Sequence, residues 1–178
     1  MEETCMKAAL LCNGPSREDF LPHAHEYDHI LGCNAPWYHS TNGTVIVDEI
    51  MVEKWFDKPD LISCNAYFSR KAWIYASVNK YKEFFKNRLI EIVDVLPDFD
   101  SSGHVGAKIL IKQGWDEIDI WGCDSWFENT IVSYTHGITP NLNPDDSPKH
   151  IRGWRDHWLR IIDDNPNVKI NFRRNAYV

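Results

Sequence analysis

Apolar runs ending in turn residues alternate along this chain with segments whose apolar positions recur every three to four residues. Lys7 to Cys12 (KAALLC) is an apolar run that meets the turn Asn13-Gly14-Pro15-Ser16, which predicts a buried strand. A short helix over Ser16–Phe20 follows, with Pro15 at or just before its start. Further strands are expected at His29–Gly32, at Thr44–Asp48 with its β-branched residues, and at Leu61–Ala66, Ile90–Val95, Asp116–Trp121 and Val168–Phe172. Helices are expected over Ile50–Phe56 and over Lys71–Lys86, the latter anchored by Trp73, Val78, Tyr81 and Phe85. Helix 103–113 is opened by Ser101-Ser102-Gly103 and stopped by Gly114. Helix 149–163 carries Ile151, Trp154, Trp158, Ile161 and Ile162 on one side, a 3.6-residue period. Thr135–Lys149 is polar and reads as a loop. Strand–helix alternation of this kind predicts an α/β fold: a single Rossmann-like domain over 1–178, with a mostly parallel sheet and helices on both faces.

Composition narrows the function. The 178 residues carry a formal net charge of −7, which argues against a protein built to coat nucleic acid. Five cysteines, mostly inside apolar runs, suit free thiols in a reducing compartment, so a cytoplasmic location is expected. No cysteine pair has metal-ligand spacing, and no signal peptide or 18-residue apolar span stands out. There is no P-loop, no G-x-G-x-x-G and no G-x-S-x-G elbow.

The candidate chemistry gathers where strands end. Open α/β sheets bind ligands at the C-terminal ends of their strands, and a helix N-terminus attracts anions. Asn13 offers an amide after the first strand, Gly14 lets the backbone come close to a phosphate, and Ser16 can cap or donate. Asn34 holds the equivalent place after the second strand. Ser101, Ser102 and Gly103 supply hydroxyls and backbone amides. Asp124, in Gly122-Cys123-Asp124, can accept from a ribose or base. Asp98-Phe99-Asp100 has a metal-binding spacing that also arises by chance. His104 reads as structural, His157 as a surface residue beside Trp154 and Trp158, and Arg173-Arg174 as a solvated tail.

Taken in order, these motifs resemble the bacterial sialyltransferases of glycosyltransferase family 42. The resemblance rests on Asn13-Gly14-Pro15-Ser16, on Tyr27-Asp28 to Cys33-Asn34, on Ser101-Ser102-Gly103, on Gly114-Trp115-Asp116-Glu117-Ile118 and on Gly122-Cys123-Asp124, over about two thirds of the chain. It implies a metal-independent glycosyltransferase that moves a sugar from a nucleotide-sugar donor, such as a cytidine monophosphate sugar, to a hydroxyl acceptor, with no further cofactor. It maps donor contacts onto Asn13, Asn34 and Ser102 and the general base onto His150, with His136 as the runner-up. Leaving-group tyrosines of that family fall at Trp126, which lacks the hydroxyl, and near Val132, with Tyr134 two residues on; residues 127–149 are all that could form a lid. A pterin or nucleotide diphosphokinase-like enzyme shares part of the pattern and would need Mg²⁺. A non-catalytic nucleotide-binding protein is the third reading.

Overall fold

The computed structural model describes residues 5–34, 41–49, 51–52, 65–78, 89–96, 100–129 and 147–174, of which 147–150 as backbone only. Seven strands form one parallel sheet: β1 (Lys7–Leu11), β2 (His29–Cys33), β3 (Gly43–Ile46), β4 (Asn65–Ser69), β5 (Ile90–Val93), β6 (Glu117–Trp121) and β7 (Lys169–Arg173). Their order is β5-β4-β3-β2-β1-β6-β7, an open Rossmann-like arrangement. The chain steps outward from β1 to β5, then returns to lay β6 on the other side of β1. β1 is therefore the topological switch point, the place where such sheets leave a crevice at their C-terminal edge.

Side chains alternate across the sheet with period 2, and each set has its own cover. Ala8, Leu10, Leu31, Val45, Ile118 and Ile120 face α2 (Ser102–Lys112) and α3 (Ser147–Asp164), whose Val105, Leu110, Trp158 and Ile161 complete that core. Ala9, Leu11 and Trp121 face the other way, against Phe20 of the 3₁₀-helical segment Pro15–Glu26. Ile46, Ala66 and Phe68 meet α1 (Arg70–Val78) on that second face. Gly106 lets α2 press on β1, because a Cβ there would lie 2.5 Å from Leu10 Cδ1.

Several expected elements shift. β4 lies at Asn65–Ser69, later than the expected Leu61–Ala66, because Ala66 and Phe68 are its inward positions; 61–64 fall outside the described residues. α1 buries Ala72 and Ala76, and the expected anchor Trp73 packs with them, tilted on Phe68. The described residues follow it to Val78, and the expected anchors Tyr81 and Phe85 lie outside them. The helix expected at Ser16–Phe20 runs on to Glu26 as a 3₁₀ segment. α3 starts at Ser147, two residues before the expected start at 149. Among the described residues no helix is long and apolar enough to cross a membrane.

Candidate functional site

The crevice at the C-terminal edge is made by the ends of β1, β2 and β6 and by the start of α2. On the β6 side two turns interlock. Gly14 N–H donates to Gly122 O at 2.7 Å, and Gly122 N–H donates to Ser16 Oγ at 3.2 Å. Ser16 N–H in turn donates to Asp124 Oδ2 at 3.1 Å. Glycine is required on both turns. A Cβ on Gly14 would sit 2.0 Å from Asp124 Oδ2, and one on Gly122, whose φ is +72°, would sit 2.8 Å from Cys12 O. Burial pushes the Asp124 carboxyl above its ordinary range. Ser16 and Asp124, both expected to contact ligand, are thus buried and bonded to each other's turn.

On the β2 side the polar groups meet differently. Asn34 ends β2 with φ +59°, a left-handed conformation that asparagine tolerates better than most residues. Its Oδ1 accepts from Ser102 Oγ at 3.2 Å, and both residues are buried. Ser102 and Gly103 open α2, where the first-turn amides have no carbonyl partner inside the helix. Ser101 is the N-cap, and its N–H donates to His104 Nδ1 at 3.0 Å as one arm of a capping box. Gly103 allows this turn to approach the sheet: a Cβ there would lie 2.9 Å from Cys12 Sγ and 3.3 Å from Trp158 Cζ2. Arg17 is fully buried beneath the edge. Its Nη1 lies 3.5 Å from Cys12 O, from Cys33 O and from Asn13 Oδ1, tying the ends of β1 and β2 together.

Three thiols lie buried at the ends of β1, β2 and β6. Cys12, Cys33 and Cys123 are buried and free, as their apolar surroundings predicted; Cys5 is free but exposed, and Cys64 lies outside the described residues. Cys12 touches both of the other two. Its bond to Cys123 favours the thiolate, yet the Cys33 contact and burial outweigh it and hold the thiol well above its usual range. Cys123 is raised likewise, by Cys12 and by burial. Raised in this way, the Cys12 and Cys123 thiols favour the uncharged form.

Other expected residues find different roles. Trp126 stacks face to face on Phe172, with centroids 4.0 Å apart and 6° between planes, and Phe172 meets Trp158 edge-on. Trp126 therefore belongs to an aromatic wall. His157, expected at the surface, is buried: its Nε2 lies 2.7 Å from Asp100 Oδ1. Asp100 also takes both bonds of Lys108 Nζ, at 2.7 and 3.0 Å. Burial would raise its carboxyl, but Lys108, the Leu96 N–H and His157 together hold it below the ordinary range. Asp100 is thus taken up by Lys108 and His157, while Asp98 lies outside the described residues. His104 is structural, as expected. Arg173, in β7, is ion-paired with Asp119 at 3.1 Å, and the exposed Arg174 is ion-paired with Glu128 at 3.2 Å. His150 lies in the first turn of α3, on a backbone that leads toward Trp154 and Trp158. His136 and Tyr134 lie outside the described residues, as does most of the expected lid over 127–149.

The sequence reading missed Arg17 and the Asp100–His157 pair. Arg17 directly follows the Asn-Gly-Pro-Ser turn, and that adjacency was the available signal. Comparison with protein-family models and with curated protein sequences gives no match.

Proposed function

We propose that the chain binds a nucleotide in this crevice and uses it as a nucleotide-sugar donor in a metal-independent transfer to a hydroxyl acceptor. The observation that carries the binding half is the meeting of Asn34 and Ser102 at 3.2 Å beside the opening amides of α2, at the switch point of a parallel sheet. Asn13, held by Arg17 at the end of β1, borders the same opening. A phosphate seated on the Ser102 and Gly103 amides would lie over neutral thiols, in the field of the α2 N-terminus.

The transfer half rests on the order of motifs and on His150. A histidine at the head of α3 would take the proton of an acceptor hydroxyl as its oxygen attacks the sugar carbon and the nucleotide phosphate departs. The leaving phosphate is then steadied by amide and hydroxyl donors of the crevice. A second reading, a nucleotide-binding protein without catalysis, is favoured by one observation: Trp126, at the place of a leaving-group tyrosine, stacks on Phe172 and offers no hydroxyl.

A thermal-shift screen over nucleotides, nucleotide sugars and Mg²⁺ tests the binding half, since ligand at 100 times Kd adds about 2.7 kcal/mol of stability. Hydrolysis or transfer assays on His150→Ala test the chemistry. Turnover should fall by about 10²–10⁴ with nucleotide affinity kept. Binding with no consumption of any nucleotide sugar would leave the second reading standing. A gain in affinity that requires Mg²⁺ would favour the diphosphokinase-like alternative.

A further inference from the structure

Two buried histidines stand behind the crevice, and they join α3 to its wall. His104 is fully buried at the third position of α2. Its Nδ1 accepts the Ser101 N–H at 3.0 Å and lies 2.9 Å from Ser101 Oγ. A nitrogen that accepts a backbone N–H carries no proton of its own. The proton of the neutral ring is therefore on Nε2, 3.1 Å from Trp154 O, to which it donates. The ring is stacked at an angle on Trp158, 4.5 Å between centroids, and meets the His157 ring edge-on at 4.7 Å. His157 is fixed from behind by Asp100, which Lys108 also holds. One imidazole thus touches the N-cap of α2 with one nitrogen and the backbone of α3 with the other.

We infer that His104 is the positioning residue of the Ser101–Gly103 turn: as the neutral Nε2–H tautomer it clamps the N-cap of α2 to Trp154 of α3, and the turn keeps its geometry only while that ring is uncharged. A second proton would sit on Nδ1, against the Ser101 N–H, and would break the cap. The charged and titratable groups facing the ring are Asp100 from the preceding loop, Lys108 from α2 and His157 from α3. Burial leads in holding its titration down to about 4, against the pull of the Trp154 carbonyl, so the clamp is closed at neutral pH. His157 Nδ1 is buried and has no hydrogen-bond partner among the described residues. The clamp follows from geometry alone. Its consequence for ligand rests on the proposed anion site.

Nitrogen NMR of the ring and amide hydrogen exchange test the clamp without ligand. At pH 7 His104 should show the neutral Nε2–H tautomer. Exchange at the Ser101 and His104 amides, corrected for intrinsic rates, should accelerate as pH falls through about 4. His104→Gln can rebuild the capping box but not the bond to Trp154. It should keep Ser101 protection within about twofold, expose the α3 amides around 154–158, and lose the pH step. His104→Phe keeps the packing on Trp158 and should lose about fivefold protection at Ser101, the worth of a cap. An Nδ1–H tautomer or a charged ring at pH 7 would overturn the inference, and so would the same pH step in His104→Gln. Cytidine monophosphate titrated into the same samples at pH 7 reads the consequence. Failure of the wild type to bind it sinks the proposed ligand and leaves the clamp, whereas equal binding by wild type and His104→Phe sinks the clamp's role in positioning.

Discussion

The two sides of β1 at the crevice use the same residue types to opposite ends. On the β6 side Gly14, Ser16, Gly122 and Asp124 close on one another, with two glycines admitting the contact. On the β2 side Ser102 Oγ donates to Asn34 Oδ1, beside first-turn amides of α2 that have no carbonyl partner inside the helix. A strand-end motif of glycine, serine and aspartate can therefore be a rivet or a ligand site, and what decides is whether a second turn lies against it. The β6 side is structural. On the β2 side lies the opening turn of α2, where we place the proposed ligand.

The largest expected effect tests the rivet. Gly14→Ala puts a Cβ 2.0 Å from Asp124 Oδ2 and 2.6 Å from the Gly122 carbonyl, a backbone atom that cannot turn aside. It should lower the urea midpoint by an amount worth about 3 kcal/mol. Gly103→Ala meets a side-chain sulfur first, at 2.9 Å, and should cost roughly 1 kcal/mol. Equal losses would erase the distinction between the two sides.

Next in size is pH. The neutral His104 ring, titrating at about 4 in the folded protein against 6.5 ordinarily, contributes stability that is complete above pH 6.5 and is lost as pH falls toward 4. The contribution is on the order of 3 kcal/mol. Asp124 runs the other way: its raised carboxyl contributes stability that is complete below the ordinary value of 3.8 and is lost as pH rises through its own titration. Denaturation at pH 4 and pH 7 should show the cost of His104→Gln growing toward neutrality and that of Asp124→Asn growing toward acid. Parallel trends would mean that one of the two burials is misassigned.

Smaller still are the single hydrogen bonds. Asp124→Ala strips the buried Ser16 N–H of its acceptor and should cost about 1–3 kcal/mol. Ser102→Ala should cost no more than ~1 kcal/mol in urea unfolding, as a hydroxyl bonded to one amide oxygen.

The sheet was legible in the sequence because buried parallel strands are apolar runs, and β1, β2, β5, β6 and β7 fall within a residue or two of the expected positions. β4 was displaced because Ala66 carries part of its packing, and alanine marks no face by size. Asn34 and Ser102 were each legible as strand-end or helix-start candidates, but their contact was not, because Ser102 follows β5 at the far edge of the sheet and Asn34 follows β2. Nor was the Ser16–Asp124 contact, since its partners lie 108 residues apart and each also reads as an ordinary cap. His157 was misplaced for a plainer reason. It lies three residues after Trp154 and four before Ile161, on the same helical stripe, and its partner Asp100 belongs to a distant loop.

The central claim, that the β2 side holds ligand and the β6 side holds the fold, is tested most directly by a cytidine monophosphate titration followed by amide NMR. The expected result is saturable shifts at Asn34, Ser102 and Gly103, smaller ones at Asn13, and little change at Ser16 and Gly122. Ser102→Ala should weaken the fitted affinity by about 1–2 kcal/mol with the spectrum otherwise intact. Shifts centred on the Ser16–Gly122 turns, or a Ser102→Ala protein that binds as tightly as the wild type, would contradict it.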